Sequence, residues 1–249
     1  MRKTDYYRDL LGRMDDWEPF LIEESGLPGP RGNLELLQVV ADEGDEELFW
    51  YFLEYDPDIA PTNTPLEFVA VCGVVGLGRL LAEGKLELLA ALKKYASDPR
   101  WRIREGVCMA LQRYGRVDMS VLLCEMESWA QGNLLEQRAA VAAICEPALL
   151  ADPDNALKVL DILDRVTASI LEIDNRKSED FRVLRKGLAY CWSIAAAAFP
   201  HAGKALLEKW FSVDDKDILW IMKQNLKKKR LERMDAKWVA LWFHRLEEK

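Results

Sequence analysis

Residue types able to do chemistry are few in this chain of 249 residues. His201 and His244 are its only histidines, so a three-histidine metal site is excluded, and no H-E-x-x-H motif occurs. Neither histidine has a serine or cysteine nucleophile motif beside it, and G-x-S-x-G is absent. The five cysteines (Cys72, Cys108, Cys124, Cys145 and Cys191) lie far apart in apolar contexts, and none forms Cys-x-x-Cys. Zinc and redox chemistry are therefore not expected, and the cysteines read as small buried hydrophobes. No cofactor is expected. The carboxylates fall on charged helix faces, where solvation is their ordinary role. The sequence makes no positive case for catalysis.

One stretch does resemble a ligand loop. Ser25–Glu35, SGLPGPRGNLE, holds three glycines, two prolines and one arginine before an apolar helical run. Phosphate-binding loops need a strand before the glycines, and the mononucleotide type a lysine followed by serine or threonine after them. Here the preceding DDWEPFLIEES is acidic and helix-like, and no such lysine follows. The stretch reads instead as a connector. Gly26 ends one helix, Pro28 and Pro30 stiffen the crossing, and Asn33 caps the next helix. Arg31, the only charge ahead of the Asn33 cap, is left either to pair with the acidic surroundings or to face a partner.

The remaining candidates are cations and tryptophans, and their spacing is regular. DPRWRIREGVCMAL places Arg104 six residues after Asp98. GNLLEQRAAVAAIC repeats that skeleton with Arg138, EDFRVLRKGLAYCW with Arg185, and DILWIMKQNLKKKR with Lys223 in the arginine position. These basic residues are 34, 47 and 38 positions apart. A helical segment fills most of each gap, so every unit reads as two helices. Apolar residues recur at helical spacing throughout, as in Phe181, Leu184, Leu188 and Cys191, and no strand-like alternation appears. About thirteen helices are predicted, with Asn33 and Asp235 at N-cap positions.

A two-helix period of this length predicts an all-α fold, an α-solenoid of stacked antiparallel helix pairs. Aspartate at the turn would cap the second helix, and arginine one turn further on would reach a neighbouring aspartate to form a ladder. The unit resembles the HEAT repeat, whose pattern has a turn aspartate, a following apolar-arginine pair, and small-then-large apolar positions. The resemblance is clearest over residues 85–150 and looser up to 232. It departs at Gly132, where the acidic residue is missing, and at Lys223. It implies one armadillo-like solenoid domain over 1–249, with an acidic N-terminal cap at 1–60 and a C-terminal capping helix at 235–249.

Composition agrees with a folded core. Half the residues are apolar and 31 % are charged. Net charge is −8, unevenly spread. Residues 1–60 hold 5 basic and 16 acidic side chains, whereas residues 201–249 hold 12 and 8. FVAVCGVVGLGRLLA, the longest apolar run, is interrupted by Arg79, and the charged N-terminus MRKTDYYRDLL lacks a signal-peptide core. A cytoplasmic location without membrane contact is expected.

In solenoids of this kind the second helices line the concave side. The candidate binding residues are thus Trp101, Arg102, Arg104, Arg138, Arg182, Arg185, Lys186, Trp220, Lys223 and Lys227. The internal ladder competes for Arg104, Arg138 and Arg185, and the tryptophans compete between core and ligand stacking. Two functions follow. The resemblance implies a non-catalytic scaffold or adaptor with a protein or peptide partner. The chain is also similar to HEAT-like DNA-alkylation-repair glycosylases in size, helix content and arginine-led second helices, which makes nucleic acid the second candidate partner. No position matches their catalytic aspartate with its aromatic neighbours, so no catalytic residue is carried over. The overall acidity opposes tight duplex binding, which draws most of its affinity from phosphate contacts.

Overall fold

A computed structural model describes residues 2–247, and every regular element among them is helical: fourteen α-helices and two short 3-10 turns. The predicted capping helix at 235–249 is therefore described only to residue 247. The helices group into two compact units, residues 1–117 and 118–249, and each is built around its own core.

The first unit contains α1 (Lys3–Leu11), α2 (Glu18–Glu24), α3 (Leu34–Glu43), α4 (Glu46–Phe52), α5 (Pro65–Ala82), α6 (Leu88–Tyr95) and α7 (Trp101–Gly115). Its organising element is α5, which touches α2, α3, α4, α6 and α7. The sequence explains why. Every position from Glu67 to Gly78 is buried, so α5 is apolar on all sides rather than amphipathic. By length and composition α5 could cross a membrane, contrary to the expectation drawn from Arg79, but 78 % of it is buried in protein. Its charges are met inside the unit. Arg79 donates to the carbonyls of Ala41 and Gly44 and pairs with Glu83.

Glycine lets α5 approach its neighbour closely. A Cβ on Gly78 would lie 2.4 Å from the Ala110 Cα of α7. The same device recurs in the second unit, where a Cβ on Gly203 would lie 2.4 Å from the Ala196 Cα.

The acidic first 60 residues form α1 to α4, whose apolar faces are part of this core. Leu21, Leu36, Leu37, Val40, Phe49 and Phe52 are all fully buried or nearly so. The Ser25–Glu35 stretch is the predicted connector. Gly26 takes φ +71° just after α2, and the Asn33 side chain accepts from the Leu36 N–H to cap α3.

The second unit contains α8 (Met119–Trp129), α9 (Leu134–Ile144), α10 (Pro153–Ser169), α11 (Glu179–Ala198), α12 (Pro200–Phe211), α13 (Lys216–Leu226) and α14 (Lys229–Glu247). Neighbours alternate in the chain: α9 packs on α11 and α11 on α13, while α8 packs on α10 and α10 on α12. Polar bonds fix the register of α11 and α13. Arg185 bonds to Asp217, and the Ser193 N–H donates to Asn225 Oδ1, a displacement of 32 residues at both points. The two helices therefore run parallel.

One local expectation holds and another needs amendment. α14 is interrupted at Asp235, whose backbone is extended (φ −163°) and whose side chain accepts from the Trp238 N–H. Asp235 is thus the predicted cap, but of the second half of a broken helix. The acidic residues six positions before each basic residue do not cap the second helices. Asn133, Ser178 and Asp215 cap α9, α11 and α13, and α7 begins after Arg100 without a side-chain cap. A cap must accept from N–H groups two or three residues on while its own backbone is extended. Glu179 and Asp217 already lie inside their helices and cannot do so.

Candidate binding surfaces

The arginines chosen from the sequence are held by the protein in different ways. Arg102 is buried. Its guanidinium donates to Glu67 at 3.0 Å and to the Gly29 carbonyl at 2.8 Å, and stacks 4.3 Å from the Trp101 ring. Gly29 returns a bond from its N–H to Asn63 Oδ1. The glycine-rich connector is thus clamped onto α5 and α7 by a buried ion pair, and Arg102 is no surface cation. Trp101 is 45 % exposed, with one ring face covered by its neighbour.

Arg104 donates to the carbonyls of Asp98 and Pro99 at the start of α7. The Asp98 carboxylate is gripped by Arg100, which also reaches the carbonyls of Tyr55 and Ala60. These residues tie the turn before α7 to the segment after α4. A hollow of about 420 Å³ beside the connector contains Lys3 and Arg31, but Glu23, Glu24 and Glu35 line it as well. Arg31 is exposed and makes no ion pair among the described residues. The carboxylates make this hollow a poor phosphate site.

In the second unit the residues gather on α11 and α13. Arg185 and Arg176 converge on Asp217, which is almost fully buried. Arg185 Nη1 donates to Oδ1 at 2.5 Å, and Arg176 Nη1 to Oδ2 at 3.3 Å and to Asp215 at 2.6 Å. Trp220 covers the Arg185 guanidinium at 4.3 Å. This contact gives the Arg185 Nε, which has no hydrogen-bond acceptor, a π-face for a neighbour. Arg185 to Asp217 is one rung of the expected ladder, from the basic residue of one helix to the acidic residue of the next. Arg138 lies with its stem against Gly187 of α11.

Around this rung opens a cleft of about 570 Å³, walled by Arg176, Lys177, Arg185, Lys216, Trp220 and by Asp174, Asn175 and Asp217. The sequence pointed to Arg185 and Trp220. It did not point to Arg176, Lys177 or Lys216, which come from the loop before α11 and the first turn of α13. The signal for Arg176 and Lys177 was the polar run DNRKS interrupting two apolar periodicities, and for Lys216 the polar run DDKD ahead of an apolar one. Asp215 sits below the ordinary carboxylate range. Burial pushes it up, but the hydrogen bond and charge of Arg176 and the N–H groups of Ile218 and Asp217 outweigh that.

The remaining candidates are exposed or partly so. Among the described residues Arg182 pairs only with Glu179, one turn away on the same helix. Lys186, Lys223 and Lys227 make no ion pair among the described residues. Tyr190, one turn beyond Lys186, is 46 % exposed; its hydroxyl accepts from Arg230, and its ring carries Arg230 at 4.8 Å and Lys228 at 5.2 Å. Trp192, by contrast, is core and donates to the Thr167 hydroxyl.

No group of three or more histidine, cysteine or carboxylate residues among the described residues is placed to hold a metal ion. Burial pushes the Cys72 and Cys145 thiols well above their usual range, which suits packing rather than nucleophilic chemistry. Comparison with known protein families, curated proteins and solved structures finds no match to this chain.

Proposed function

We propose that the chain is a non-catalytic, HEAT-like scaffold or adaptor that binds a protein or peptide partner through the exposed faces of its alternate helices. The stacking of alternate helices within the second unit, and the parallel 32-residue displacement of α11 and α13, support a solenoid of paired helices.

One observation carries the choice of partner. The arginines that would grip a phosphate backbone spend their hydrogen bonds inside the protein: Arg102 on Glu67 and Gly29, Arg104 on the start of α7, Arg185 on Asp217. Freeing Arg102 or Arg185 would leave a buried carboxylate short of its partner, which costs about 3–5 kcal/mol when a buried pair is broken. A DNA glycosylase would further need an open carboxylate in the groove. Asp217 is recessed beside Trp220, yet both its oxygens are taken by arginines.

The second reading, nucleic-acid binding without catalysis, draws on Lys186, Lys223 and Lys227, which make no ion pair among the described residues. Titrating fluorescent duplex and single-stranded DNA with the purified protein across a salt series separates the two. The scaffold reading expects no saturable binding even at low salt. Sub-micromolar binding with a steep salt slope, lost on reversing Lys186 and Lys223, would overturn it.

A further inference from the structure

We infer that the exposed face shared by α11 and α13 is a docking surface for an acidic peptide segment of a partner protein, with the cleft at Arg185 and Trp220 receiving a carboxylate side chain. This rests on the protein-binding reading and specifies its site.

The two helices run parallel and are pinned side by side by Arg185 to Asp217 and by Asn225 to Ser193 and Leu188. On α13, Lys216, Trp220, Lys223 and Lys227 follow one another at spacings of four, three and four, so they share one stripe. Lys186 and Tyr190 are likewise one turn apart and exposed on α11. None of these four lysines makes an ion pair among the described residues, and neither does Lys177 of the cleft wall. Unpaired ammonium groups on adjoining helices repel one another, and an anionic ligand relieves that repulsion.

The chemistry of the face favours carboxylates over a nucleic-acid strand. Single-strand binding relies on bare aromatic platforms for base stacking. Here both aromatics already carry the protein's own cations: Arg185 over Trp220, and Arg230 and Lys228 over Tyr190. The cleft, at about 570 Å³, is the size for one or two side chains, and Asp174 and Asp217 on its walls interrupt any continuous phosphate track. Lys177 and Lys216 line the same cleft and offer a side-chain carboxylate its countercharge, and the stripe of Lys223 and Lys227 continues along α13 for the rest of the segment.

The test is fluorescence polarisation of the full-length protein with three labelled probes: a twelve-residue Asp/Glu-rich peptide, its Lys-rich counterpart and a single-stranded oligonucleotide of matched charge. The acidic peptide is expected to bind and to weaken as salt rises. The combined Lys216→Glu, Lys223→Glu and Lys227→Glu variant should weaken it at least about tenfold, a change worth about 1.4 kcal/mol. Lys158→Glu, an exposed reversal on α10, should leave it unchanged. Circular dichroism confirms that the variants fold. No peptide binding, or equal loss in the α10 control, overturns this inference alone and leaves the protein-binding reading standing. Oligonucleotide binding at the same face, tighter than the peptide, overturns both. Self-association that the triple reversal abolishes would replace the peptide with a second copy of the chain and also overturn it.

Discussion

Arg185 on α11 and Asp217 on α13 are 32 residues apart in sequence and 2.5 Å apart in space, and Arg176 closes on the other side of the same carboxylate. This cluster decides both how the two helices register and what is left for a ligand. Two guanidiniums are matched by the carboxylates of Asp217 and Asp215, and the lysines around them make no ion pair among the described residues.

Replacing Asp217 should therefore destabilise more than replacing any lysine nearby. Asp217→Ala removes the carboxylate from Arg185 while Arg176 keeps Asp215, and a loss of about 2–4 kcal/mol is expected, below the range for a fully buried pair because Arg185 and Arg176 are partly solvated. Urea melts compare it with Lys223→Ala, for which a change under about 0.5 kcal/mol is expected.

Arg102 tests whether the connector clamp is structural. Arg102→Ala strands the fully buried Glu67 carboxylate and should cost about 3–5 kcal/mol. Chemical denaturation measures it. A near-neutral result would mean that Glu67 finds another partner.

Core packing gives two further expectations. Leu184→Ala removes a fully buried side chain of α11 and should cost about 2–5 kcal/mol. Gly78→Ala forces a methyl group to within 2.4 Å of the α7 backbone, so the helices must move apart. A loss of about 1–3 kcal/mol or more is expected, read as a lowered thermal midpoint.

Acid should weaken the start of α13. The Asp215 pKa is depressed when folded, so its contribution is complete above the unfolded value of about 3.9 and is lost as pH falls through the folded value. Urea midpoints should thus be insensitive to this group from pH 7 to about 5 and fall below about pH 4. Asp215→Asn keeps a side chain able to cap α13 but removes the charge facing Arg176. It should flatten the acid limb.

The sequence by itself determined the all-helical character, the caps at Asn33 and Asp235 and the connector role of Ser25–Glu35. These depend on neighbours within about one helical turn: apolar spacing, a side-chain acceptor, a glycine able to take positive φ. It also placed the arginine positions at the right depth for one long-range rung, Arg185 to Asp217. Only the tertiary structure decided which cations are spent. Arg102 looks like Lys186 in the sequence, a charge in the first turns of an amphipathic helix. The difference is that α5 brings Glu67 and the connector brings the Gly29 carbonyl to Arg102, whereas no described carboxylate reaches Lys186. Partners 35 and 73 residues away leave no local trace, because a buried ion pair is fixed by the packing of whole helices.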